Sequence, residues 1–376
     1  MRKILLTVAA VVVALSVGEG ATRLFFRHKD FPRWQAAVLR YRADPCYGWK
    51  VFPGKYVRSL EVIHINSLGL RGPEISERKE PGEIRVLVLG GSSAFNSNSE
   101  GGNTWPRLLE KKLQKRFGPW VRVINAATPG YSVYQSAKRL ECQLLGLSPD
   151  LVLVYHLWND VKNFSTSDVA ALVRRLEAWG RFNERSTLNF LTGRIPVFDE
   201  LTRWSQLAAR LRFALVKLVR HFNKVGDEGR KRGSLKEKVH PNGVDFYRRN
   251  LLSVRSLLAG RKIPLFIVKQ AMLVNRNNSP RERKRIIYKY SGFDHATLLE
   301  AIREGWRVNE EVCRLDGVRC IAANERVPAT LDDFRDHVHP TARGRRALAE
   351  AVYGEVAKWV EERIRASRPP RKRLDL

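Results

Sequence analysis

Apolar and polar positions along the chain change texture near residue 84. Before it, residues 30–80 are rich in Pro, Gly and aromatics, with short alternating pieces such as 57–65. That pattern predicts an irregular lead-in containing a hairpin. Beyond it, short unbroken apolar runs at 84–89, 121–126, 151–156, 264–269 and 318–322 alternate with longer stretches of helical spacing at 105–116, 134–145, 246–258, 297–313 and 342–364. Apolar runs without alternation are strands covered on both faces, and strands alternating with helices make a parallel sheet between helical layers. The expected fold is a three-layer α/β/α domain with a five-stranded parallel sheet. Functional groups in such a sheet gather at the carboxyl ends of the strands.

Residues 165–245 break this rhythm with a mostly helical, basic insertion. Within it Leu207, Leu211, Leu215, Leu218 and Phe222 fall at helical spacing, opposite Arg203, Arg210 and Lys217. This is a helix packed on the core with a solvated basic face, or one that lies on a membrane surface or gates a substrate. No repeat of 20–50 residues is visible, which excludes a solenoid.

The N-terminus reads as an export signal. A short basic start, Met1-Arg2-Lys3, precedes a weakly polar-to-apolar run from Ile4 to Gly18 that ends at Glu19. The run alone suits the apolar core of a signal peptide and is short of the roughly 20 residues a spanning helix needs. Continued past Glu19 through Leu24, Phe25 and Phe26, it becomes long enough to anchor. Cleavage sites such as Ser16-Val17-Gly18 fit the small-x-small pattern poorly, which favours an uncleaved anchor. Arg23, Arg27, Lys29 and Arg33 rival the upstream basic residues, so charge leaves the orientation open. Residues 1–29 are thus an anchor or signal segment, 30–80 the lead-in, 81–366 the domain carrying the 165–245 insertion, and 367–376 a basic tail.

Sixty-eight Lys and Arg against 38 Asp and Glu leave a formal charge of +30, and 44% of the 376 residues are hydrophobic. The apolar content excludes a disordered basic tail as the whole protein. The charge asks for an anionic neighbour, nucleic acid or anionic lipid, and says nothing of chemistry. Much of it sits in the insertion, in the run from Arg281 to Arg285 and in the tail. No nucleic-acid motif accompanies it, so a membrane surface is the expected partner. Cys46, Cys142, Cys313 and Cys320 lack zinc or redox spacing; Cys313 and Cys320 are either a local disulfide or two buried thiols.

Polar residues stand at the strand ends in the order a serine hydrolase needs. After the first apolar run, Gly90-Gly91-Ser92-Ser93 turns the backbone sharply and sets a hydroxyl before a helix N-terminus, although such a string is also an ordinary turn. No Gly-Lys-Ser/Thr follows, so it is no phosphate loop. The second run leads to Gly130 and the third to Asn159, a backbone N–H and a side-chain amide of the kind that hold an oxyanion; a turn glycine and a helix cap are the plainer readings. Before the last helix stands Asp336-His337-Val338-His339-Pro340. Asp336 and His339, three apart, are spaced for one hydrogen bond that leaves the other ring nitrogen free as a base. His337 is expected to point away from the site, Asp294-His295 is too close for its side chains to meet, and His240 has no nearby acid.

These four blocks, in this order, resemble the SGNH hydrolases of the GDSL lipase/esterase superfamily. The usual Gly-Asp-Ser appears as Gly90-Gly91-Ser92, the usual Gly-x-Asn-Asp as Leu157-Trp158-Asn159-Asp160, and Asp-x-x-His-Pro is matched in full by Asp336 to Pro340. Asn66 to Glu74 also resembles the lead-in of membrane-anchored relatives. The resemblance implies Ser92 as nucleophile, His339 as base and Asp336 as its orienting acid. It implies an oxyanion hole of Ser92 N–H, Gly130 N–H and the Asn159 amide, with no metal and no organic cofactor. Leu157 in place of Gly is expected to put bulk near that hole and narrow the substrates. The implied activity is hydrolysis of a carboxyl ester on an acylated envelope glycan or lipid, outside the cytoplasm. Transfer of the acyl group to a sugar hydroxyl by the same triad and a non-catalytic binding module are the other readings. The sequence leaves the oligomeric state open.

Overall fold

The computed structural model describes residues 2–25, 41–58, 61–96, 102–184 and 238–366, together with 205–208, 210, 211, 214, 218 and 235 of the insertion. Every strand expected in the main domain is present. β5 (Ile84–Gly90), β6 (Val121–Asn125), β7 (Leu151–Tyr155), β8 (Leu265–Val268) and β9 (Val318–Ile321) form one parallel sheet in the order β6-β5-β7-β8-β9. Successive residues of β5 feed opposite layers, because side chains alternate across a strand. Val86 and Val88 enter one core with Trp105, Leu109 and Leu113 of the helix Trp105–Phe117 and with Leu348, Val352 and Val356 of Ala342–Ala366. Leu87 and Leu89 enter the other with Val133, Ala137 and Leu140 of Val133–Cys142, Tyr247 and Leu251 of Pro241–Ala259, and Ile302 and Val308 of His295–Cys313.

The lead-in is two antiparallel hairpins, β1 (Tyr41–Asp44) with β2 (Gly48–Val51) and β3 (Gly54–Arg58) with β4 (Glu61–Ile65). Two ties hold it to the α/β domain. Cys46 is disulfide-bonded to Cys142 across 96 residues, a pairing that sequence spacing did not suggest. The fully buried Arg139 donates to the carbonyls of Gly69 and Ala126 and to the Thr128 hydroxyl, so the segment from Asn66 to Glu74 and the turn after β6 share one guanidinium. Cys313 and Cys320 form the second disulfide, which decides between the two alternatives the sequence left open.

At the N-terminus, the helix α1 (Arg2–Phe25) runs unbroken past Glu19, and its stretch Leu5–Phe25 is long and apolar enough to cross a membrane. Glu19 accepts hydrogen bonds from the Ser205 hydroxyl and from the N–H groups of Gln206 and Leu207, at 2.8–3.0 Å. An acid inside the apolar helix thus caps the start of a helical segment of the insertion. Of the amphipathic face expected there, Leu211 and Leu218 are exposed, while Leu215, Phe222, Arg203 and Lys217 lie outside the described residues. So does the tail from 367.

Candidate active site

The nucleophile position is built by the end of β5. A Cβ on Gly90 would lie 2.7 Å from the Ala94 Cβ and 3.2 Å from the Tyr155 carbonyl oxygen, so only glycine permits a turn this tight. It delivers Ser92 as the first residue of a one-turn helix, Ser92–Phe95. The buried neighbour Ser93 is held from two strands away: Gln270, just past β8, donates to the Ser93 hydroxyl at 2.7 Å and accepts from the Trp158 N–H at 2.7 Å. Gln270 therefore joins the turn carrying Ser92 to the helix carrying Asn159. It follows an apolar run like any strand-end residue, and nothing in its local pattern marks it.

Asp336, His339 and Ser92 form one continuous chain of hydrogen bonds. His339 Nε2 is 2.8 Å from Ser92 Oγ, and His339 Nδ1 is 2.9 Å from both carboxylate oxygens of Asp336. The loop that presents them is self-bracing, since Asp336 Oδ1 also accepts from the N–H groups of Val338 and His339 at 3.0 Å. Burial raises the Asp336 carboxyl, but the His339 bond, the neighbouring imidazoles and the Val338 N–H outweigh it and hold it well below the usual carboxylate range. The acid is an anion whenever the ring needs orienting.

His337 does not simply point away. Its buried ring packs 4.1 Å from the Trp158 ring and edge-on to His339 at 5.9 Å, forming a wall beside the triad. Burial pushes it down to about 4, so it stays neutral. One ligand-type atom from each of Asp336, His337 and His339 lies within a 4.8 Å cluster. Both nitrogens of His339 are already engaged, which suits a proton relay better than a cation. The alternative histidines serve helix ends and local contacts. His240 accepts from the Asn242 N–H, Asp294 accepts from the Thr297 N–H, and His295 pairs with the Tyr288 hydroxyl.

The three N–H groups expected to hold an oxyanion are each set by a local feature. Gly130 has φ +84°, a left-handed conformation that favours glycine, and Trp49 of the lead-in packs against it. Among the described residues neither the Ser92 nor the Gly130 N–H donates to a backbone carbonyl. Asn159 uses one amide hydrogen on the Tyr131 carbonyl at 2.8 Å and keeps the other. Gly91 stands where the resembled block has Asp. A Cβ there would lie 2.6 Å from Asn159 Nδ2, so the glycine makes room for the amide. Leu157 does not crowd the hole as expected. It is fully buried, its side chain turned onto the Cα of Gly305, where an added Cβ would be 2.1 Å from a Leu157 methyl. Asp160 ties the second and third blocks together by accepting from the Val133 N–H at 3.0 Å. Beside it lies a sealed polar set in which His156 Nε2 is 2.8 Å from Ser136 Oγ and His156 Nδ1 is 3.9 Å from Asp160. All three are buried, so this second Ser-His-Asp grouping is architectural.

No protein-family model matches the chain, and no curated protein does. Sixty-seven solved chains match by structure. A GDSL-like lipase from Bacteroides thetaiotaomicron is 13% identical, with 76% of this chain and 93% of that one covered, at a TM-score of 0.40. An acetylxylan esterase from Geobacillus stearothermophilus is 16% identical, with 73% and 94% covered, at 0.37. On this chain's own coordinates the parallel sheet carries the serine after β5, the asparagine after β7 and the Asp-x-x-His pair before the last helix, all at the carboxyl ends of its strands or beside them.

Proposed function

We propose that the protein is a serine esterase that cleaves a carboxyl ester through a covalent acyl-enzyme on Ser92. The observation that carries this reading is the unbroken chain from Asp336 through His339 to Ser92 Oγ, with bonds of 2.9 and 2.8 Å. Ser92 Oγ attacks the ester carbonyl carbon while its proton passes to His339 Nε2, and the imidazolium is stabilised by Asp336. The oxyanion is held by the Ser92 and Gly130 N–H groups and the Asn159 amide. Collapse breaks the bond to the leaving alcohol, which takes the proton from His339. Water, deprotonated by the same ring, then releases the acid and regenerates the serine.

The substrate is an acylated glycan or lipid of the cell envelope, met by a catalytic domain that α1 tethers on the extracytoplasmic side. Two disulfides support an oxidising compartment, and the bonds from the insertion to Glu19 support retention of α1 as an anchor. The test is labelling by a fluorophosphonate and hydrolysis of p-nitrophenyl acetate by the full chain in detergent. Wild type should do both, and Ser92→Ala neither. Activity that survives in Ser92→Ala would overturn the reading. Acyl transfer to an added glycan that outruns hydrolysis would make the enzyme an O-acyltransferase instead.

A further inference from the structure

We propose that Tyr290, with Lys162 behind it, sets the orientation of the Asn159 amide in the oxyanion hole; this rests on the esterase reading above. A carboxamide has two nearly isosteric edges of opposite chemistry. With Nδ2 toward Ser92 it donates to a developing oxyanion, and with Oδ1 there it would repel one. The side chain must therefore be fixed against rotation about its last bond, and the helix that carries it, Trp158–Val161, is only four residues long. So short a helix has little rigidity of its own.

One edge is held by the Tyr131 carbonyl; Tyr290 restrains the other from 131 residues away, out of the short helix Tyr288–Ser291. Its hydroxyl lies 2.7 Å from Asn159 Oδ1. A hydroxyl both donates and accepts, so that distance alone does not choose the amide's direction. Lys162 chooses it. Its ammonium has donors only, and Nζ lies 3.4 Å from the Tyr290 oxygen, so that oxygen accepts from the lysine and its own hydrogen goes to Asn159 Oδ1. Nδ2 is then left for the Tyr131 carbonyl and for the oxyanion. The chain runs in one direction from Lys162 through Tyr290 to Asn159, and each bond polarises the next, strengthening the final donor. The ring itself is held by Trp158, stacked at 6.0 Å and 9°, and by Lys162, whose Nζ is 5.2 Å from its centroid. Trp158, Asn159 and Lys162, all within five residues, grip one tyrosine. Loss of solvent around the hydroxyl raises the phenol to about 12, so it keeps its proton at any working pH.

Tyr290→Phe removes only the hydroxyl. On p-nitrophenyl acetate we expect kcat to fall about tenfold, KM to stay within twofold and the melting temperature to hold, since one neutral hydrogen bond is at stake. Lys162→Met, which keeps the aliphatic stem, should lower kcat about threefold. The reading that separates positioning from mere support is epistasis. In an Asn159→Ala background Tyr290→Phe should cost nothing further. Wild-type kcat in Tyr290→Phe, or the same loss with and without Asn159, overturns the proposal. Should Tyr290→Phe lower the melting temperature, Lys162→Met tested in both backgrounds decides in its place. If Ser92→Ala and Asn159→Ala are themselves fully active, the esterase reading is what has failed. If they are inactive while Tyr290→Phe is not, only this inference has.

Discussion

The proposed oxyanion hole makes a strict demand on one residue. Gly91 must lack a Cβ. Gly91→Ala would press on Asn159 Nδ2 from 2.6 Å, and kcat on p-nitrophenyl acetate should fall at least tenfold while the melting temperature moves little, because an oxyanion donor is displaced and no core contact is lost. Asp160 makes the opposite kind of statement. Burial pushes its carboxyl from 3.8 up to about 7, against the Val133 N–H and Lys162, which lower it. Burial also takes His156 down to about 3, leaving both groups neutral together. The folded state thus holds a proton that the unfolded chain releases near pH 4. Stability from this group is complete below that pH and is lost as pH rises to about 7. Neutral His156 contributes the opposite slope, stability rising with pH from about 3 to 6.5, so Asp160→Asn should leave a melting temperature that climbs more steeply over pH 4 to 6.5, and an unchanged profile would refute a protonated Asp160. At this scale the sequence was legible where chemistry is written in a contiguous block. Ser92, Asn159, Asp336 and His339 were named by type and spacing. Gln270 and Tyr290 were not, because each acts through a partner more than a hundred residues away, at distances only the fold creates.

Strands and helices were read well, within a few residues at most ends, because two-sided burial makes strands uniformly apolar and core-facing helices periodic. The lead-in is legible in part, the hairpin expected around 57–65 being β3 with β4. Its sequence looks like an irregular preface, yet β1 and β2 pack Trp49 against Gly130 and edge-on to Tyr131 at 5.0 Å, with the Cys46–Cys142 disulfide holding them there. Removing that bond by Cys46→Ser with Cys142→Ser should cost about 4 kcal/mol in urea unfolding, a loop of this length lying near the upper end of the usual range. It should also lower kcat severalfold, since the Gly130 turn loses its support. Cys313→Ser with Cys320→Ser, closing only a seven-residue span between His295–Cys313 and β9, should cost less stability and leave kcat unchanged. Equal effects of the two pairs on kcat would sink the proposed coupling between lead-in and site.

For the whole molecule, the +30 charge and the apolar α1 point the same way. Deleting residues 1–29 should abolish co-sedimentation with phosphatidylglycerol vesicles at 0.5 M salt while leaving residual binding at low salt, because surface attraction is screened and helix insertion is not. Hydrolysis of a small soluble ester should persist; vesicle binding that survives both deletion and salt would place the anchor elsewhere. The order of strands and helices, the glycine turn before Ser92 and the Asp336–His339 spacing depend only on neighbours along the chain and are legible there. Tertiary structure alone decided which distant groups meet. It brought His339 to Ser92 across 247 residues, turned Leu157 into the core rather than over the site, and set Tyr290 on Asn159. Local spacing limits what a segment can form, whereas these meetings depend on packing two helical layers against one sheet, a condition no local segment contains.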